Sequence, residues 1–339
     1  MVNLATVILI RQGAIRVELG ALAQGDVVAL YNYMAQMIIE LVKLGSMVIT
    51  LNKSAACANR IQSILEVKSS MTCPSADGPL QPVGQGPAVA FHQVSFGYAG
   101  GADAVSELDF TIPKGATVGI IGGTGSGKTT LVNLIPRFYD VIRGRVEVDG
   151  RDVRDYPAGT LLDKIALVPQ KAVLFEGTIR DNLRWGKADA TDEELWQALE
   201  TAQAKDVVLG KEGQLDALVE QGGRNLSGGQ KQRLTIARAL VKKPEILIMD
   251  DSASALDFAT DLHLRQAIKA LEGEMTVFIV SQRTSSVRQT DLILVLNDGR
   301  LVGQGTHRQL LETCPVYQEI FDSQYPGRRD QELAQGKEE

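Results

Sequence analysis

Gly122, Gly123, Thr124, Gly125, Ser126, Gly127, Lys128 and Thr129 spell GxxxxGKT immediately after the apolar run Thr117–Ile121. A strand, a glycine-rich turn and a helix start, in that order, leave a chain few folds to choose from, because this is the context of a phosphate-binding P-loop. The glycines let the backbone curl so that its N–H groups converge on phosphate oxygens. Lys128 can then reach the terminal phosphates, the Thr129 hydroxyl can ligate Mg²⁺, and Thr130 continues the helix. A second buried-strand pattern, Ile246 to Met249, ends in the carboxylates Asp250 and Asp251. Asp250 stands where a Walker-B aspartate would hold the Mg²⁺ shell. These two elements predict a nucleoside triphosphate site, but many protein classes share them.

Leu226, Ser227, Gly228, Gly229 and Gln230 narrow the choice. Ser227 is placed to cap a helix running to about Val241 and stopped by Pro244, so its hydroxyl and the two glycine amides form a second anion site at a positive helix end. With this signature the chain, from Ala88 to about Gln324, resembles the nucleotide-binding domain of the ATP-binding cassette (ABC) transporters. The resemblance implies an α/β fold: a P-loop NTPase ABC cassette with a RecA-like sheet core, a β subdomain and a helical subdomain, preceded by an all-α transmembrane segment. Its ligands would be ATP and Mg²⁺. By the same resemblance, Tyr98 looks like the aromatic that stacks on adenine. Gln170 looks like the Q-loop glutamine near Mg²⁺, and Ser254 to Asp257 is similar to the D-loop that crosses the dimer interface. Ser281, Gln282 and Arg283 lie where the switch-histidine motif belongs. The segments Leu174–Leu183 and Glu220–Leu226 resemble exporter sequences that meet the cytoplasmic loops of the membrane domain.

Two catalytic positions depart from that pattern. Asp251 stands where exporters usually carry glutamate, and Gln282 where they usually carry histidine. Aspartate is one methylene shorter and should fall short of the attacking water, while a glutamine amide can bond a phosphate oxygen but cannot take a positive charge. Loss of base positioning costs roughly 10² to 10⁴ in rate. ATP is therefore expected to bind and turn over slowly. Because each ATP in such dimers lies between one chain's Walker motifs and the other's signature, the resemblance favours a heterodimer with a second ABC half-transporter, in which Ser227, Gly228, Gly229 and Gln230 complete the partner's competent site. A self-sufficient homodimeric exporter and a regulatory ABC module without a transport role are the alternatives.

The N-terminal part is a different material. Residues 1 to 51 hold six charged side chains, against 70 of the chain's 76 in the rest. Val27 to Leu51 reads as one helix of about 37 Å, longer than a hydrocarbon core of about 30 Å. Asn32, Gln36, Glu40, Lys43, Ser46 and Thr50 share one stripe on it, as expected of a membrane helix facing a bundle interior or a water-filled path, or of an amphipathic core or partner helix. In the exporter reading it is the last transmembrane helix, surrounded by membrane lipid. Met1 to Ile10 would be the end of another helix and Arg11 to Gly25 a short outer loop. Lys53, Arg60 and Lys68 then give a weak positive-inside bias, which puts the nucleotide-binding domain on the cytoplasmic side of the cell (inner or plasma) membrane.

The expected domains are a membrane-domain remnant over 1–67, a Ser-, Gly- and Pro-rich linker over 68–87, the cassette over 88–324 and a charged, disordered tail over 325–339. The 87 residues before the cassette cannot enclose a translocation path, so the chain reads as the C-terminal part of an exporter half. A net charge of −6 argues against nucleic acid as a partner. Cys57, Cys73 and Cys314 suggest neither disulfides nor zinc, and His92, His263 and His307 are too scattered to suggest a transition metal. Trp185, Trp196 and the helix Asp192 to Ala202 read as structural parts of the helical subdomain.

Overall fold

The computed structural model describes all residues except Met1, 68–70, 73, 75–85, 100, 158, 272–274 and 336–339. Most of the expected linker, and Cys73 within it, therefore lie outside the described residues. The chain divides into two units, Met1–Ser70 and Met71–Glu339.

The first unit is a helical hairpin of α1 (Val2–Glu18) and α2 (Gln24–Leu65). The outer loop expected over Arg11 to Gly25 is shorter than that, because α1 continues through Arg11 to Glu18 and only residues 19–23 turn the chain. Close packing is the physical reason: a Cβ on Gly13 would lie 2.6 Å from a Val27 methyl, so glycine lets the two helices meet there. No buried residue occurs in α2, and its length and composition are sufficient to cross a membrane. Its polar stripe is internally bonded. Lys43 pairs with Glu40 at 2.8 Å, Gln36 donates to Glu40 at 3.4 Å, and the Thr50 hydroxyl donates to the Ser46 carbonyl at 2.9 Å.

In the second unit, β1 (Val89–Phe96), β2 (Val105–Ile112), β4 (Arg143–Val148) and β5 (Arg151–Asp152) form an antiparallel sheet in the order β2-β1-β4-β5. Gly177–Thr178 and Leu218–Val219 pair as a small two-stranded sheet, and six longer strands follow one another as β3 (Thr117–Ile121), β6 (Ile165–Val168), β7 (Ile246–Asp250), β8 (Thr276–Ser281), β9 (Leu292–Asn297) and β10 (Arg300–Gly305). They form a six-stranded sheet in the order β10-β9-β3-β8-β7-β6, parallel throughout except for the β9/β10 edge. Every residue of β7 and β8 is buried, as the apolar runs require of parallel strands covered on both faces. One core joins the two sheets through Phe91, Leu108, Ile120, Leu131 and Phe278. A second packs α4 (Asp192–Thr201) and α5 (Gly228–Val241) through Leu195, Leu199, Leu234 and Ile236.

One expectation changes here. The tail is not wholly without structure, because α8 (Arg329–Gln335) follows α7 (Pro315–Gln324). Leu333 packs on the core that holds Tyr317 and Phe321, and Glu332 lies 3.4 Å from Arg288 and 3.7 Å from His307, so one ion pair to Arg288 and apolar contact offset the ordering cost. Of the two tryptophans, Trp196 packs on the helical core, and Trp185 is 68% exposed with its ring 4.9 Å from that of Phe175.

The fully buried Phe91 stacks on Phe110 across the β1/β2 pair with centroids 4.6 Å apart. Phe91→Ala is expected to cost about 3–5 kcal/mol, while Trp185→Ala changes stability by less than about 0.5 kcal/mol. Thermal denaturation of the two variants checks the contrast.

Candidate nucleotide site

Register builds the site. Residues Ile121 of β3 and Ser281 of β8 are paired, as are Val280 of β8 and Asp250 of β7, so three adjacent parallel strands end at one level. The turn Gly122–Gly127 follows β3, and α3 (Lys128–Leu134) starts from Gly127, whose φ of +92° is a left-handed conformation suited to glycine. At Gly122 a Cβ would lie 2.2 Å from the Leu296 carbonyl oxygen, which fixes that position as glycine for steric reasons. A Cβ on Gly123 or Gly125 would meet open space, and of the two Gly125 borders the cleft.

The cleft has a volume of about 400 Å³ and is lined by Tyr98, Thr124, Gly125, Gly127, Lys128, Thr129, Thr130, Gln170, Asp250, Asp251 and Gln282. Gln170 follows β6 by two residues, the outermost of the parallel strands. Eleven of the eighteen residues singled out from the sequence thus line one cleft, and Gly122, Gly123 and Ser126 are not among its walls. Ser227, Gly228, Gly229 and Gln230 are not among its walls. They start α5, where the Ser227 hydroxyl accepts from the Gln230 amide at 3.3 Å and the Gln230 side chain accepts from the Ser227 amide at 3.0 Å. This reciprocal capping box satisfies two otherwise unpaired amides.

Within the cleft the Lys128 ammonium donates to the Gly122 carbonyl at 2.9 Å, the Gly123 carbonyl at 2.6 Å and Ser126 Oγ at 3.3 Å. Burial lowers its pKa, against the opposing pull of Asp251 and Asp250. Thr129 Oγ1 donates to Asp250 at 2.9 Å, and Gln170 Nε2 donates to Asp251 Oδ2 at 3.1 Å. Burial raises the pKa of both carboxyls. The Asp251 charge adds to that rise at Asp250, whereas the Gln170 hydrogen bond, Arg283 and Lys128 oppose it at Asp251. Asp251 has a φ of +45°, a left-handed conformation that aspartate tolerates better than longer or branched residues. Tyr98 is 45% exposed, has its hydroxyl 3.2 Å from Thr130 Oγ1, and is braced edge-on by Phe96 and Tyr139 with centroids 5.0 and 5.3 Å away.

Sequence reasoning did not find the groups that hold the switch segment. Gln324 Oε1 accepts from the Thr284 amide at 2.8 Å and from its hydroxyl at 2.9 Å, while Gln324 Nε2 donates to the Gln282 carbonyl at 2.7 Å. From α6 (Phe258–Lys269), Arg265 donates to the carbonyls of Ser285 at 3.2 Å and Ser286 at 2.6 Å and also binds Asp261. A glutamine 42 residues downstream carries no local pattern that would reveal it.

The raised carboxyl pKa values carry a stability consequence. Ionised Asp250 costs the fold free energy at neutral pH, and that cost fades as pH falls through the raised folded-state pKa towards the ordinary value of 3.8. Asp250→Asn is expected to raise the melting midpoint of the nucleotide-free chain by about 2–4 °C at pH 7, with the gain shrinking as pH approaches 4. Thermal melts across that pH range check it.

Residues 105–254 match the family model described as ABC transporter. An ABC transporter ATP-binding protein of Mycobacterium tuberculosis is 39% identical over 331 residues, covering 95% of this chain and 56% of its own. The beta-(1→2)glucan export ATP-binding/permease protein of Bartonella bacilliformis is 38% identical over 301 residues, covering 88% and 50%. A solved bacterial Atm1-family ABC exporter with ATP bound superposes with a TM-score of 0.76 at 32% identity, covering 96% of this chain and 57% of that one. The chain thus spans about half the length of these relatives. Its second unit is an ABC transporter ATP-binding domain, an ATPase cassette of the P-loop class, in a chain that is ABC-exporter-like across 96% of its length.

Proposed function

We propose that the chain is the C-terminal part of one half of an ABC exporter, which binds Mg-ATP in its own cleft and lends its signature to a partner's site. The observation that carries this reading is the division of anion-binding devices: Lys128, Thr129, Gln170, Asp250, Asp251 and Gln282 share one cleft, while Ser227 to Gln230 face elsewhere. A cassette that keeps its second phosphate-binding device outside its own site needs another cassette to use it. In the plane of the membrane, α2 would be the last spanning helix, in contact with lipid, and the cassette would lie on the cytoplasmic side.

In this reading Tyr98 stacks on adenine, supported by Phe96 and Tyr139. The amides of Gly122 to Gly127, with Thr124, Ser126 and Thr130 nearby, cradle the phosphates. Lys128 exchanges its carbonyl partners for the terminal phosphates. The oxygens of Thr129, Asp250 and Gln170 suit a hard cation, and Mg²⁺, when bound, neutralises phosphate charge. Asp251, held by Gln170, orients the attacking water but from one methylene short of the glutamate position. Gln282 hydrogen-bonds a phosphate oxygen without the charge that a protonated histidine would bring. The site therefore holds ATP longer than it hydrolyses it, and energy release falls to the partner's site in a heterodimer.

A second reading, a self-sufficient homodimeric exporter, is favoured by one observation: the φ of +45° at Asp251 suits aspartate, so this residue fits its backbone well. Single-turnover hydrolysis of tightly bound ATP separates the two. The chain and its Asp251→Glu, Gln282→His double variant are compared beside a cassette whose own site is disabled. A gain of about 10² or more in the double variant is expected. Equal, rapid turnover in both would favour the homodimer.

A second expectation concerns the signature. Ser227→Ala removes both the helix cap and the hydroxyl offered across the interface. It should leave ATP affinity in this chain's own cleft within about twofold, while slowing hydrolysis at the partner's site by about 10². Nucleotide titration and steady-state turnover with a catalytically intact partner cassette measure the two effects.

A further inference from the structure

The switch segment after β8 is held from outside the cassette's motifs. Its residue Gln282 lines the cleft and is exposed, so its side-chain position depends on the backbone beneath it. That backbone is fixed on one side by Arg265, through the Ser285 and Ser286 carbonyls. On the other side three hydrogen bonds of 2.7 to 2.9 Å come from a single side chain, Gln324. Gln324 is the last residue of α7, and the helix is anchored one and two turns earlier by the buried Phe321 and Tyr317. Three of the four hydrogen-bonding positions of its amide are used at this contact: the oxygen accepts twice from Thr284, and one N–H donates to the Gln282 carbonyl. A glutamate there could accept from Thr284 but would turn a carboxylate oxygen towards the Gln282 carbonyl.

We propose that Gln324 is a positioning residue for Gln282, so that the C-terminal helix α7 sets the geometry of the switch in the ATP cleft. The inference rests on the reading of Gln282 as a phosphate-facing group. Its physical basis is the steep dependence of such chemistry on placement, since a displacement of about 1 Å can cost about 10² in rate. The contact does not touch the P-loop, so it acts on the chemical step and not on nucleotide affinity.

The test uses the whole chain and measures ATP affinity, single-turnover hydrolysis and amide hydrogen exchange. Gln324→Leu is expected to slow turnover about tenfold, to leave the ATP Kd within about twofold and to speed exchange at the Thr284 amide. Gln324→Glu, which retains the acceptor, should keep the Thr284 amide protected and still slow turnover by a smaller factor. Combined with Gln282→Ala, Gln324→Leu should add nothing to the effect of Gln282→Ala alone. If Gln282→Ala slows hydrolysis and Gln324→Leu does not, the positioning role is overturned while the reading of Gln282 stands. If the loss in Gln324→Leu comes with an equal loss of affinity or melting midpoint, Gln324 is a structural residue and the proposal fails. If Gln282→Ala has no effect, the reading of the switch fails, and the proposal fails with it.

Discussion

Three parallel strands ending at one level are what the site depends on. The ladder that pairs Ile121 with Ser281 and Asp250 with Val280 is made of backbone hydrogen bonds and buried apolar side chains, yet it decides where every polar group of the cleft stands. Lys128 follows β3, Asp250 ends β7, and Gln282 follows β8, so one slipped residue in a strand would turn its side chains to the opposite face. The Asp251 amide continues the same ladder by donating to the Val280 carbonyl at 2.9 Å. Burial of β7 and β8 on both faces makes the register costly to lose. Precision in the chemistry is thus drawn from the least polar part of the molecule.

That dependence explains what could be read in the chain and what could not. The P-loop, the Walker-B strand and the cap at Ser227 are local: each is a short pattern whose geometry follows from its own residues, and β3 occupies Thr117–Ile121 as read. The cap at Ser227 and the helix end at Val241 also lie where the pattern puts them. Assembly into one cleft is legible too, because parallel strands bring their carboxyl ends together. Contacts between distant segments leave no such trace. Gln324 and Arg265 look like ordinary helix residues until the fold sets them against the switch. The charge-rich tail looks like a solvated end until Leu333 and Glu332 meet partners supplied by other elements.

Electrostatics in the cleft is arranged as a set of opposed tensions. Lys128 is buried and its charge is disfavoured there, while Asp250 and Asp251 are carboxylates held in a place that would prefer them neutral. Lys128 and the two carboxylates offset part of one another's cost, whereas the Asp251 charge adds to the cost at Asp250. Preorganised charge of this kind destabilises the fold slightly and spares the site reorganisation when a polyanion and its counter-cation arrive. The Tyr98 ring, braced edge-on by Phe96 and Tyr139, adds an aromatic surface to the cleft beside the charged groups.

The cap at the start of α5 uses Ser227 in a particular way. Its oxygen accepts from the Gln230 amide through one lone pair, which leaves the hydroxyl proton out of the capping box. The helix can therefore stay closed at its end while the same side chain gives a hydrogen bond outward. A device that had to choose between holding its own helix and holding an anion would soften each time it was used. In the proposed reading, Ser227 would engage a partner's phosphate without uncapping its own helix.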